Sequence, residues 1–69
     1  MNLNEDLVKM CEIGQIEVVK LLIENGADVN ARSNDGETAL MIASRIRDEE
    51  IKNKIITCLV ENGATIEAR

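Results

Sequence analysis

The stretch LLIENGADVNAR, residues 21–32, returns in altered form as CLVENGATIEAR at residues 58–69. Each copy leaves an apolar helical run, turns at Asn-Gly and continues as an alternating segment. The run before the first turn decides the reading. Val18, Val19, Leu21, Leu22 and Ile23 make a wide apolar face, with Glu17, Lys20 and Glu24 opposite at steps of three and four. This spacing predicts a helix from Ile16 to Asn25. Gly26 stops it, because glycine adopts a positive φ without a Cβ penalty. In the second copy Ile51, Ile55, Ile56, Leu59 and Val60 build the apolar face. Lys54, Thr57 and Glu61 repeat the outward spacing, and Gly63 is the stop.

A shorter helix precedes each of these. Leu7, Met10 and Cys11 recur at i, i+3 and i+4, which predicts a helix over Asn4–Ile13. Asn2 or Asn4 can cap it, Glu5 and Asp6 suit its positive end, and Gly14 ends it as a left-handed residue. Residues 27–37, ADVNARSNDGE, alternate at Val29 and Ala31 and then meet the turn signal Asn34-Asp35-Gly36. They predict a short, open hairpin. Thr38 is the expected N-cap of a third helix running through Leu40, Ile42 and Ala43 to about Ile46. A fourth helix starts near Asp48, with Asp48, Glu49 and Glu50 at its positive end.

Composition narrows the function classes. The chain has 69 residues, a net charge of −5, no histidine, no aromatic residue and no proline. One small domain is the upper limit, and a domain this size is marginally stable alone. Nucleic-acid binding needs clustered cations for phosphates and usually rings for unpaired bases, so no nucleic-acid partner is expected. No run is long and apolar enough to predict a membrane span, and Met1 is followed by polar residues rather than a signal-type apolar run. Cys11 and Cys58 fall within apolar helical patterns and read as reduced, buried thiols. They favour a reducing compartment, so a cytoplasmic location is expected.

The stretches IEVVKLLIENGADVNA at 16–31 and DGETAL at 35–40 resemble the ankyrin repeat, and the resemblance covers essentially the whole chain. It implies an all-α fold: a solenoid of two helix-turn-helix units joined by a short β-hairpin-like loop. Residues 1–69 would form one domain, with repeat one at about 1–33 and repeat two at about 34–69. There are departures. Ala39 and Met41 stand where the family has proline and histidine. The spacing is 37 residues rather than roughly 33. This puts a four-residue insertion near 45–50, where the interhelical glycine is also missing. Either a longer loop or an early start of the fourth helix should result.

Terminal repeats need a polar outer face. Lys9 stands where repeat two has Ile42, which marks repeat one as an N-terminal cap. Repeat two looks uncapped, with Met41, Ile42 and Ile46 on its outer side, and the last strand runs to Arg69. The chain then reads either as part of a longer array or as a unit whose C-terminal end packs on another chain, as in a homo-oligomer.

Catalytic chemistry is not expected. Without histidine the thiols lack their usual base, and no phosphate-binding glycine loop is present. No metal site or cofactor is implied. Asp28 and Asn30 begin like a calcium loop, but Arg32 occupies the next ligand position. The resemblance instead implies binding to another protein through hairpin tips and the exposed ends of first helices. Carried onto this chain, those positions are Glu12, Ile13, Arg32, Asn34, Asp35, Glu37, Arg45 and Ile46.

Overall fold

Asn2 initiates the first helix: its Oδ1 accepts the N–H groups of Asn4 and Glu5 at 3.0 and 3.3 Å. The computed structural model describes residues 2–65. Four helices appear among them: α1, Leu3–Ile13; α2, Ile16–Glu24; α3, Ala39–Ala43; and α4, Glu49–Glu61. The fold is all-α. Its only extended pairing among the described residues is one antiparallel bridge, Arg32 to Thr38. The strand expected to end at Arg69 lies outside the described residues.

The glycine stops work through a shared geometry. At the end of α2, Gly26 has φ +99°, its N–H donates to Ile23 O at 3.0 Å, and Ala27 N–H donates to Leu22 O at 3.0 Å. At the end of α4, Gly63 has φ +95°, with Gly63 donating to Val60 O at 3.1 Å and Ala64 to Leu59 O at 3.0 Å. These paired bonds satisfy the last helical carbonyls. The asparagine before each glycine adds another: the Nδ2 groups of Asn25 and Asn62 donate to the carbonyls of Leu21 and Cys58, each at 2.7 Å.

Two residues, Gly14 and Gln15, join α1 to α2, whereas five, 44–48, join α3 to α4. Helix α3 ends at Ala43, not near Ile46. Ser44 Oγ donates to Met41 O at 2.6 Å and competes with the helical ladder. The chain then tightens into a three-residue turn, Arg45 N to Ile42 O and Ile46 N to Ala43 O, each at 3.1 Å. Arg45 and Ile46 therefore lie beyond α3 rather than on it. Asp48 caps α4, accepting from Glu50 N at 3.0 Å and Ile51 N at 3.2 Å. At the 37-residue offset α4 begins one turn earlier than α2. That extra turn brings Ile51 against the α1–α2 turn, where a Cβ on Gly14 would lie 3.2 Å from Ile51 Cγ2.

Helix α1 packs on α2 and α3, and α4 packs on α3 and α2. Two helix pairs thus stand side by side, with α1 and α3 in one layer and α2 and α4 in the other. Leu7, Cys11, Val19, Ala39, Ala43, Ile55 and Leu59 are fully buried between them. Ile42 is buried too, and Ile46 packs against the same core. Ile42, expected on an open outer face, is thereby part of the interior, and Ile46, beyond the end of α3, is partly buried against it. Of that trio only Met41 is exposed.

Candidate functional site

The start of the loop from 27 to 38 is fastened in two directions by asparagines. Asn4 Oδ1 accepts Asp28 N–H at 2.8 Å, which ties the loop to the start of α1. Asn30 reaches forward to the second pair: its Nδ2 donates to Gly63 O at 3.2 Å and its Oδ1 accepts Thr65 N–H at 2.8 Å. Asp28 and Thr65 are equivalent at the 37-residue offset, so one bond type is used twice: each backbone N–H donates to the side-chain oxygen of an asparagine, Asn4 in the first pair and Asn30 in the second. Asp28 Oδ1 accepts Asn30 N–H at 2.8 Å. The oxygen ligands of the apparent calcium loop are thus engaged in building the turn. Among the described residues no group of three or more His, Cys, Asp or Glu is placed to hold a metal ion.

The hairpin tip is equally fixed. Ser33 N–H donates to Glu37 O at 2.8 Å and Gly36 N–H to Ser33 O at 2.9 Å. Gly36 has φ +79°, a conformation that suits glycine. Ser33 Oγ also accepts from Asp35 N and Glu37 N, both at 3.3 Å. Arg32 Nη1 donates to Gly36 O at 3.0 Å, so the guanidinium lies along the turn.

Between this tip and the first half of α1 runs a groove. Glu5, Val8 and Lys9 line it from the helix, and Ala31, Arg32, Ser33, Asn34 and Asp35 from the hairpin. Val8 and Ala31 supply an apolar floor, while carboxylates, two cations and amides make a mixed-charge rim. Of the residues expected to bind a partner, Arg32, Asn34 and Asp35 come together here. The periodicity of α1 places Glu5, Val8 and Lys9 on one face, a signal that marks the helix side of the groove.

The others lie elsewhere. Glu37 precedes α3 and Arg45 follows it, and Arg45 closes on Glu37 as a two-pronged ion pair, with Nη2 to Oε1 at 2.9 Å. The hydrogen bonds from Arg45 hold the Glu37 carboxyl below its ordinary range. The same bonds push Arg45 up, with a smaller contribution from the nearby charge of Glu12. Ile13 is 62% exposed at the end of α1. Ile46 is half-buried against the core.

The thiols face inward. Burial, reinforced by the charge of Cys58, pushes the Cys11 thiol up to about 12, and burial raises Cys58 also. Neither is a thiolate near neutral pH, so neither is an activated nucleophile. No described helix is long and apolar enough to cross a membrane.

Comparison with known proteins agrees with this geometry. Residues 4–51 match the family model described as ankyrin repeats (many copies). The chain is 44% identical over 54 residues to XBAT33, an E3 ubiquitin-protein ligase of Arabidopsis thaliana; the match covers 78% of this chain and 10% of that protein. It is 36% identical over 58 residues to an ankyrin repeat-containing protein of Treponema pallidum, covering 84% of this chain and 18% of the relative. It is 40% identical over 42 residues to the ankyrin repeat protein RF_p14 of Rickettsia felis, covering 61% of this chain and 67% of that one. The chain spans a tenth to a fifth of the length of the first two relatives. With the helix-pair stack, the glycine-stopped helices and the fastened hairpin, these matches establish that the chain belongs to the ankyrin-repeat family.

Proposed function

We propose that this chain is a non-catalytic protein-binding module that holds its partner in the groove between α1 and the hairpin tip. One observation carries the reading: Arg32, Asn34 and Asp35 stand opposite Glu5 and Lys9 across an apolar floor, on a turn already fixed by Ser33 and Gly36. A surface ordered before binding loses little conformational freedom on binding. The mixed charges favour a partner with both signs on its rim, and they act on selectivity and encounter rate more than on affinity. The ligase activity in the name of the Arabidopsis relative belongs to that protein. What transfers is the interaction module. Two unpaired thiols suit a reducing compartment such as the cytoplasm.

Affinity capture from extracts of the source cells tests this. The wild-type chain is compared with Asn34→Arg/Asp35→Arg, which inverts the hairpin side of the groove, and with Glu17→Lys/Lys54→Glu, which alters the opposite cleft between α2 and α4. Captured proteins should be lost with the first variant and kept with the second. Equal capture by all three chains would refute the groove as the binding surface.

A further inference from the structure

The chain contains its own template for what covers an open face. Helix α2 has an equivalent of each of its residues 37 positions later in α4. Ile23 of α2 and Cys58 of α4 line the same cleft between the two helices. Ile23 therefore marks the forward side of the first pair, and Cys58 the rear side of the second. Their equivalents mark the two outer faces of the molecule. On the rear face of the first pair, Leu21 stands in the place of Cys58 and Val18 in the place of Ile55. Cys58 and Ile55 are buried, whereas Leu21 is 56% and Val18 36% exposed. On the forward face of the second pair, Val60 stands in the place of Ile23 and is 37% exposed. In the other layer Met41, at the position of buried Val8, is also 37% exposed. The first pair, which Lys9 marks as a polar cap, thus keeps an apolar outer face on α2.

From this continuity we infer that a second copy of the chain stacks head to tail on the first, its forward face (Val60, Met41) seated on the rear face (Val18, Leu21) of its neighbour. The contact repeats the α2–α4 side of the interface inside the chain. There Ile23 meets the cleft opposite Cys58; between copies Val60 would meet Leu21. Leu21 is larger than Cys58, whereas Val60 is smaller than Ile23 and Val18 smaller than Ile55, so over the three positions the combined side-chain size is nearly unchanged, as close packing requires. Lys9 occupies the place of buried Ile42 and is exposed; a lysine in such a contact lays its stem along apolar surface and keeps its ammonium in water. Because the two faces differ, the association is heterologous: each copy has one of each.

Complementation tests this. Wild-type chain, Leu21→Glu and Val60→Glu are compared by sedimentation equilibrium over about a hundredfold concentration range, detected by interference because the chain lacks aromatic residues. Wild-type mass should rise above that of one chain as concentration increases. Each variant alone should lose at least tenfold in association. An equimolar mixture of the two should recover a dimer, since Leu21→Glu keeps an intact forward face and Val60→Glu an intact rear face. Val18→Lys and Met41→Glu repeat the two arms at other exposed positions, and far-ultraviolet circular dichroism identifies any chain that has unfolded. A wild-type chain that stays monomeric, a single variant that associates as wild type does, or a mixture that stays monomeric would each overturn the inference.

Discussion

Gly14 occupies a tighter place than the other helix-ending glycines. Its φ is +91°, and a Cβ there would press on Ile51, whereas the same atom on Gly26, at φ +99°, would meet open space. Both substitutions by alanine strain the backbone by about 1 kcal/mol, but only Gly14→Ala also forces Ile51 to move. Urea unfolding should therefore show the larger loss of stability for Gly14→Ala; equal losses would place Ile51 away from the turn. The glycine stops could be read from the sequence because one residue type meets one backbone need. The Ile51 contact could not, since it depends on where an extra helical turn ends up in space. Cys11 gives a pH prediction. Its folded value is raised from 9.0 to about 12, so below pH 9 both states hold the proton. As pH climbs above 9 the unfolded thiol ionises and the folded one does not, so stability falls. Midpoints measured between pH 8 and 10.5 should drop for the wild type, and Cys11→Ala should remove part of that drop. An identical pH profile in the variant would contradict it.

Helix α3 has five residues, too few to persist alone. Packing of Ala39, Ile42 and Ala43 holds it, together with Thr38, whose Oγ1 accepts Met41 N–H at 3.3 Å. Thr38→Ala should cost about 1 kcal/mol, the ordinary effect of losing an N-cap, seen as a lower urea midpoint. No change would show that packing alone fixes the helix start. This cap was legible in the sequence, as was the early start of α4 at Asp48. The end of α3 was not, because no glycine marks it and Ser44 diverts a carbonyl from the ladder. The surface pairs along α4, Lys52 to Glu49 at 2.8 Å and Lys54 to Glu50 at 3.9 Å, are exposed on at least one side and contribute little.

At the scale of the molecule, one side chain ties the two helix pairs together. Asn30 makes two hydrogen bonds to the turn after α4. Asn30→Ala removes both and should destabilise the turn after α4 by about 1–3 kcal/mol. The amide of Thr65 should then exchange with solvent faster while amides inside α1 keep their relative protection. Uniform loss across both pairs would mean that Asn30 is not a joint between them.

The hairpin side of the groove was readable because turn chemistry places Asn34 and Asp35 at the tip. Its helix side was less so, because Lys9 also suits a cap. Leu21 shares the wide apolar face of α2 in the sequence, and only the stacking of the pairs reveals that it faces outward. Ile42 and Ile46 go the other way: Ile42 is buried on α3, and Ile46, beyond its end, packs partly against the core.

The most direct test of the groove as a partner site is site-specific photo-crosslinking. A photoreactive residue is placed at Asn34 in one chain and at Thr57, in the cleft between α2 and α4, in another. Both chains are irradiated in extracts of the source cells, and crosslinked proteins are identified by mass spectrometry. A discrete foreign protein joined at position 34 and absent at position 57 is the predicted result. Crosslinking at 57 but not at 34 would contradict the account and move the binding surface to the other side of the molecule.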